Sequence, residues 1–202
     1  MDTEEKLLHS IGVDNRIRLE DIPGIDLYMD QVIQLFEQAF ESSKRVPEEK
    51  ILTKTMINNY AKGKLFPAVK NKKYTRDHIM AIALIYQLKG ALSISDIKAI
   101  LDAVEAEEGH AGLEPFYEGY LALQEKNSRA LAAEMKDKAA EAERGGEVIR
   151  QKATKPRDQD GDSGDILETA LLAASMASLS SLYRRMAEQL VDRVKEKSGQ
   201  GA

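Results

Sequence analysis

Cysteine and tryptophan are both absent from these 202 residues, and aromatic residues make up only 5% of the chain. Without cysteine there is no disulfide bond, no thiolate metal site and no cysteine nucleophile, a composition that a reducing cytosol permits. The first residues, MDTEEKLLHS, are acidic and lack the basic and apolar regions of a secretory signal. We therefore expect a cytoplasmic protein.

Long apolar runs are also scarce. The most apolar stretch, residues 166–183, is interrupted by Glu168, Thr169 and several serines, which predicts a soluble helix rather than a membrane span. The contents of 43% hydrophobic and 31% charged residues are those of a soluble globular protein. The abundance of Ala, Leu, Glu and Lys favours helix.

Acidic residues are nearly missing from one segment of a chain whose net charge is −5. Between Lys44 and Arg76 ten basic residues face two acidic ones, whereas the remaining chain carries 19 basic and 32 acidic residues. A local cluster of this kind attracts a polyanion, and the acidic remainder discourages indiscriminate adhesion to it. The alternative interpretation is a solvated, lysine-rich surface.

Two helices are predicted in the region that leads into the cluster. Apolar residues at helical spacing from 26 to 40, with Asp26 as the N-cap, predict a core helix. Thr53 is placed to cap a second helix, which Gly63 should end. The apolar half of this second helix consists of Met56, Ile57, Tyr60 and Ala61, and the polar half of Lys54, Thr55, Asn58, Asn59 and Lys62.

The polar half of the second helix offers amides and cations and contains no carboxylate, although surface helices usually interleave Glu with Lys. An Asn side chain can donate to and accept from the major-groove edge of adenine, while Lys and Thr reach phosphates or guanine. This half of the helix therefore predicts contacts in the major groove of double-stranded DNA.

A second basic element follows directly. Residues 68–75, AVKNKKYT, alternate apolar side chains with lysines around Asn71, which predicts a short β-hairpin. A basic hairpin beside a recognition helix is typical of a winged helix-turn-helix, in which the wing follows the DNA backbone. The predicted DNA contacts outside the helix are Lys64, Lys70, Asn71, Lys72, Lys73, Tyr74 and Arg76.

The rest of the chain is predicted to be helical with one interruption. Thr75 and Ser93 are placed to cap two helices, and Gly90 separates them. A long acidic helix is expected at 113–144, a flexible linker at 145–164 and a final helix at 165–197. The final helix has an apolar seam that predicts a partner helix, in the same chain or in a second copy: Leu172, Met176, Leu179, Tyr183, Met186, Leu190 and Val194.

Signals for metal binding and catalysis are weak. Asp158, Asp160 and Asp162 alternate as in a calcium loop, but the following glycine and glutamate stand out of register, so a solvated linker is preferred. Glu107 and His110 have the spacing of a di-iron ligand pair without the further carboxylates such a site needs. His78 is interpreted as a surface or capping residue and His9 as part of a mobile terminus. No metal, cofactor or enzymatic activity is expected.

The segment NKKYTRDHIMAIALIYQLKGALSISDIKAILDAV resembles the second half of MerR-type DNA-binding domains. The shared features are a basic wing ending in Tyr and Thr, a turn of lysine, glycine, small residue and leucine, and an Ile-Lys pair, here Tyr74, Thr75, Lys89, Gly90, Leu92, Ile97 and Lys98. The ordered motifs LYMDQV, LTKTMINNYAKGKL and NKKYT are similar, more closely, to the MerR-like domain-of-unknown-function family 1836, over roughly residues 20 to 105.

This resemblance implies a mainly α fold, with a MerR-like winged helix-turn-helix domain at 20–108, a small β-hairpin wing and long C-terminal helices. The chain departs from ordinary MerR proteins, which carry an Arg-Tyr-Tyr run where Asn58, Asn59 and Tyr60 stand, and which in metal-sensing members use cysteines. It implies a sequence-specific transcriptional regulator that binds DNA as a homodimer, not at a membrane, with a small-molecule effector left unidentified. The alternative is a protein–protein interaction module that docks an acidic partner through the same basic face.

Overall fold

The computed structural model describes residues 3–108, 112–152 and 163–199. These residues are mainly helical with one small antiparallel sheet and long C-terminal helices, which confirms the predicted class at that level. The elements run in the order α1 (Thr3–Ser10), β1 (Leu27–Tyr28), α2 (Met29–Phe40), α3 (Lys54–Lys62), β2 (Lys73–Tyr74), α4 (Arg76–Leu88), α5 (Ile94–Glu108), α6 (Glu114–Lys152) and α7 (Ser163–Lys197), with 3-10 turns at Leu19–Asp21 and Glu41–Ser43.

The chain forms two compact units. The first comprises residues 1–126 and 187–202, and the second comprises residues 127–186. The first unit contains the basic cluster and most of the buried apolar side chains.

Helix α4 is the centre of the first unit. Every residue from His78 to Ile85 is buried, so this helix is enclosed on all sides rather than along one stripe. Val32 and Phe36 of α2 and Ile57 of α3 belong to the same apolar core and are fully buried. The central position of α4 therefore fixes where α2 and α3 can lie.

Local capping signals correctly predicted the starts of several helices. The Thr53 hydroxyl accepts from the Met56 amide at 3.2 Å, and α3 begins at the next residue. The Ser93 hydroxyl accepts from the Asp96 amide at 3.1 Å at the start of α5. Helix α2 is different because Asp26 lies outside it; the helix begins after Tyr28, whose amide donates to the Gln31 side chain at 2.8 Å.

The two-stranded sheet does not have the predicted partners. Strand β2 pairs with β1 in antiparallel register, Leu27 opposite Tyr74 and Tyr28 opposite Lys73, instead of with the residues just before the turn. The predicted hairpin is reduced to a single antiparallel bridge between Lys70 and Lys73. Leu27 and Tyr74, which lie opposite each other in this pair, are both buried in the core, so burial of the two side chains accompanies the pairing.

The first and last parts of this unit are tied together by buried contacts. The Tyr117 hydroxyl of α6 donates to the Ile17 carbonyl at 2.6 Å, and both residues are fully buried. The end of α7 also joins the unit, because Val191 lies in the core and the Lys195 ammonium donates to the Asp96 carboxylate at 2.6 Å.

The second unit consists of the latter part of α6 and the first part of α7. Helix α6 continues to Lys152, so residues 145–152 are helical and the predicted linker is wrong over that part; residues 153–162 lie outside the described residues. At Gly145 a Cβ atom would lie 3.3 Å from the Leu171 side chain, so a larger residue there would require Leu171 to shift by a few tenths of an ångström.

The apolar seam predicted on α7 is only partly covered. Leu172, Met176 and Leu179 are half-buried, whereas Tyr183 and Met186 are 61% and 62% exposed. By length and composition alone, residues Ile166–Lys197 qualify as a membrane span, a test that helices of soluble proteins also pass. The exposed part of the seam leaves room for a further partner.

Candidate nucleic-acid interface

Helix α3 buries part of its predicted apolar half, since Met56 is half-buried and Ala61 is exposed. Ile57 and Tyr60 are buried, and burial raises the pKa of the Tyr60 hydroxyl. All five polar positions of the other half, Lys54, Thr55, Asn58, Asn59 and Lys62, are exposed. The helix therefore presents its amides and ammonium groups outward.

The end of α3 has an unusual backbone. Gly63 keeps an ordinary helical conformation with φ −71°, and the left-handed residue is Lys64, with φ 54°. The Leu65 amide donates back to the Tyr60 carbonyl at 3.1 Å, which closes the helix end. A Cβ atom on Gly63 would lie 2.6 Å from the Leu65 side chain, so the glycine is required for this close approach rather than for positive φ.

A tight turn connects Lys70 with Lys73. The Lys73 amide donates to the Lys70 carbonyl at 2.9 Å, and the central residues Asn71 and Lys72 have φ of 52° and 59°. Positive φ at both central positions is the pattern of a type I′ turn, where glycine normally occupies the second place. All of these side chains are exposed.

Lysine stands twice where glycine would fit the backbone better. Among the described residues, the non-glycine residues with positive φ are Lys64, Asn71 and Lys72, and all three fall within residues 54–73, the basic segment. A left-handed conformation costs a non-glycine residue about 1–2 kcal/mol. Strain that is retained in this way is concentrated at functional sites, which singles out the basic segment.

Tyr74 and Arg76 do not lie where the DNA prediction places them. Tyr74 is 4% exposed and its ring meets the His78 ring edge to face, with centroids 5.9 Å apart. The Arg76 guanidinium is half-buried and donates to the Glu114 carboxylate at 3.1 Å and to the Ile22 carbonyl at 3.3 Å. Both side chains are engaged within the fold, since the Tyr74 ring packs against His78 and the Arg76 guanidinium is hydrogen-bonded to Glu114 and Ile22.

His78 is a buried capping residue, so the surface interpretation is wrong and the capping one is correct. Its Nε2 atom lies 3.0 Å from the Pro67 carbonyl, which can only accept, and its Nδ1 atom accepts from the Thr75 amide at 3.1 Å. The imidazole thus links the chain that leaves α3 to the first turn of α4.

The α3 helix and the turn both contact one short segment, Tyr28–Asp30. The Lys54 ammonium lies 2.7 Å from the Asp30 carboxylate, and the Lys73 ammonium lies 5.7 Å from the centre of the Tyr28 ring. Tyr28 is 54% exposed. This segment joins β1 to α2. Through these two contacts it brings the start of α3 near the base of the turn.

Tyr28 and Asp30 are the residues that sequence reasoning missed. The polar half of α3 contains no carboxylate of its own, but Asp30 supplies one from α2. The ion pair is exposed on both sides, so it contributes only about 0–1 kcal/mol and exchanges readily for another partner.

The other sequence signals for ligands lie partly outside the described residues. The described residues contain no group of three or more His, Asp or Glu side chains placed to hold a metal ion. The calcium-like aspartates 158, 160 and 162 and His110 lie outside the described residues. Glu107 is exposed at the end of α5.

Residues 17–120 match the sequence model of a domain of unknown function, DUF1836. The chain belongs to this family. The DUF1836 match begins at Ile17 and ends just after Tyr117, the two residues joined by the buried hydrogen bond described above. It includes α2, α3, the turn, α4 and α5. Comparisons with curated proteins and with solved structures give no match.

Proposed function

We propose that this protein is a sequence-specific, DNA-binding transcriptional regulator with a MerR-like winged helix-turn-helix. In this proposal α3 enters the major groove, and the turn at Lys70–Lys73 holds the phosphate backbone. The protein acts in the cytoplasm, away from membranes and without enzymatic activity.

One observation carries this proposal. Lys54 at the start of α3 and Lys73 at the base of the turn both contact the segment Tyr28–Asp30, so the two basic elements have a common neighbour and lie near each other. A duplex can then engage the helix and the turn together, since its charges run continuously along both strands.

The distribution of side chains supports different tasks for the two elements in this proposal. Asn58 and Asn59 are exposed in the middle of α3 and carry amides suited to base edges. Lys70, Lys72 and Lys73 bring ammonium groups, which suit phosphates and carry no sequence information. Lys54, Thr55, Lys62 and Lys64 complete the proposed contact set, while Tyr74 and Arg76 position the turn.

A homodimer completes the proposal. The exposed side chains of Tyr183 and Met186 on α7 provide an apolar strip for a second copy. Two copies would read two half-sites, and the separation of those half-sites follows from the dimer geometry.

The decisive experiment selects bound sequences from a random pool of duplex DNA with the full-length protein. We expect an enriched motif with two related half-sites, and binding that weakens steeply with salt because counterions are released on binding. Retention of an acidic protein partner together with no DNA affinity at low salt would favour the interaction-module alternative and refute the regulator.

The double variant Asn58→Ala with Asn59→Ala tests base readout. We expect it to bind nonspecific DNA as the parent does but to lose its preference for the selected motif, since only the amides are removed. Gln189→Ala, an exposed amide on α7, is the matched control and should leave the preference unchanged. An unchanged preference in the double variant would exclude these two residues from base contact.

A further inference from the structure

A cavity of about 730 Å³ lies behind the basic segment. Its walls come from the end of α3, the chain at residues 64–68, α4, α5 and the residues that lead into α6. Cavities of about 300–1,000 Å³ are the size that holds small organic ligands. The volume alone is therefore sufficient for a molecule with one or two rings.

The interior of the cavity is apolar. Leu65 and Phe66 line it from the chain that leaves α3, Leu101 and Val104 line it from α5, and Leu113 closes the side next to α6. Leu65, Phe66 and Leu101 are at most 8% exposed, so most of this apolar wall is shielded from solvent. Such a wall accepts the flat or aliphatic body of a ligand.

Negative charge predominates among the ionisable groups of the cavity. Lys98 and Asp102 neutralise each other, because the ammonium lies 2.6 Å and 2.7 Å from the two carboxylate oxygens. Asp77 and Glu105 also line the cavity, and neither forms an ion pair with another described residue. Lys64, at the edge of the same cavity, is the remaining cation.

Asp77 lies next to Gly112 at the border of the cavity. Its two carboxylate oxygens lie 3.7 Å and 3.8 Å from the place a Cβ atom would take on Gly112, where the chain has φ +74°. The carboxylate therefore lies close to the Gly112 backbone at the border of the cavity.

We propose that this cavity binds an organic cation with an apolar body, and that its occupancy alters the affinity of the basic segment for DNA. The cation pairs with Asp77 and Glu105, and the apolar body packs on Phe66, Leu101 and Val104. Ligand binding follows from the cavity itself, whereas the effect on DNA rests on the proposed function.

The wall of the cavity provides the physical connection. Ala61 belongs to α3, and residues 64–68 lead from α3 to the turn at Lys70–Lys73. A ligand that prefers one arrangement of this wall stabilises the corresponding position of α3 and of the turn. The change in DNA affinity equals the difference in the ligand's affinity for the two arrangements.

Fluorescence titration of the full-length protein without DNA tests the binding step. The probes are thioflavin T, a flat organic cation, and 8-anilinonaphthalene-1-sulfonate, an organic anion of similar size. We expect saturable binding of the cation and weaker binding of the anion. Stronger binding of the anion would overturn the proposal.

Three variants locate the binding. Asp77→Asn with Glu105→Gln should weaken the cation's affinity on the order of tenfold, because two charged contacts are lost. Ala68→Trp, at an exposed position of the wall, should block the cavity and abolish the saturable signal. Glu107→Gln, an exposed carboxylate outside the lining, is the control. Unchanged cation binding in both the double variant and Ala68→Trp would refute the site.

The coupling is measured as the DNA affinity with and without saturating thioflavin T. We expect a change of about fivefold or more in the parent and none in Ala68→Trp, since couplings between two binding sites are typically about 5- to 150-fold. Direct interaction of the probe with DNA would affect both proteins equally. If the parent binds no DNA, the proposed function fails, while the titration without DNA still decides the cavity. An equal response of both proteins would refute the coupling.

Discussion

The ammonium of Lys54 lies 2.7 Å from the carboxylate of Asp30, so the first cation of α3 is paired with an acid from α2. Both side chains are largely exposed, at 62% and 76%, which makes this pair weak and easily exchanged. A phosphate that approaches Lys54 must displace Asp30 and is repelled by it. The pair therefore lowers DNA affinity in the proposed function.

Asp30→Asn should strengthen DNA binding. The change frees Lys54 for a phosphate and removes a repelling charge, so we expect severalfold higher affinity at low salt and a salt slope steeper by about one. Filter binding across a salt series measures both quantities. Asp137→Asn, an exposed position in the second unit, makes the same change in charge and should have no effect. Equal affinity and slope for Asp30→Asn and the parent would exclude Lys54 from phosphate contact.

Lys64 and Lys72, two lysines with positive φ, allow effects on folding stability to be separated from effects on DNA binding. Lys64→Gly and Lys72→Gly relieve positive φ, and each should raise the free energy of unfolding by about 0.5–1 kcal/mol. Each should also weaken DNA binding, because a cation is lost. Urea unfolding and DNA titration provide the two measurements.

Alanine at the same positions is the matched control for these glycine variants. Lys64→Ala and Lys72→Ala remove the charge but keep the Cβ atom, so DNA binding should fall without a gain in stability. A glycine variant that is more stable and binds DNA as well as the parent would show that the lysine has no role in binding.

Helix α3 was predictable because the signals that define it lie within a few residues of one another. Thr53 caps the helix, Gly63 stands at its end, and the apolar residues Ile57 and Tyr60 recur at helical spacing. Each of these signals acts through local backbone geometry or through one buried face. The exposure of the polar half follows directly from that spacing.

Strand β1 and the roles of Tyr74 and Arg76 depend on contacts that are distant in sequence. Tyr74 pairs with Leu27, and Arg76 donates to the Ile22 carbonyl and to Glu114. No local sequence pattern distinguishes a tyrosine that is exposed on the hairpin from one that is buried beneath it. The hairpin prediction therefore identified the turn correctly but assigned the wrong partner strand.

The end of α6 shows a different limit of sequence reasoning. Gly145 and Gly146, in a polar stretch, predict that the helix stops, because glycine costs a helix about 1 kcal/mol relative to alanine. In the folded chain Gly145 lies beside the Leu171 side chain of α7, a neighbour that is distant in sequence. Tertiary packing of this kind cannot be read from the local composition.

The ion pair between Asp96 and Lys195 makes the docking of the α7 end dependent on pH. Hydrogen bonds from Lys195 and Ser93 lower the pKa of Asp96, and the Asp96 carboxylate raises the pKa of Lys195. The contribution of a carboxyl group with a lowered pKa is present above its unfolded pKa, near about 4, and disappears as the pH falls through the lowered value. The contribution of a lysine with a raised pKa is present below about 10 and disappears as the pH rises through the raised value.

Amide hydrogen exchange of residues 187–198 tests this dependence. We expect protection factors to be constant near neutral pH and to fall in acid as Asp96 is protonated. Lys195→Met should lower the protection at neutral pH and abolish the acid step. Lys197→Met, two residues further along and exposed, should behave as the parent. An acid step that persists in Lys195→Met would assign it to another group.

The buried hydrogen bond from Tyr117 to Ile17 should be a main support of the first unit. Tyr117→Phe removes the hydroxyl and leaves the buried Ile17 carbonyl without this donor, which costs about 1–3 kcal/mol of unfolding free energy. Burial raises the pKa of Tyr117, so the hydroxyl remains a donor well into alkaline conditions. Urea unfolding followed by circular dichroism measures the loss. Tyr183→Phe removes a hydroxyl from a ring that is 61% exposed and should change stability by less than about 0.5 kcal/mol. Equal stability of the two variants would mean that water or another group replaces the Tyr117 donor. The two ends of the DUF1836 match would then be held together without a contribution from this hydrogen bond.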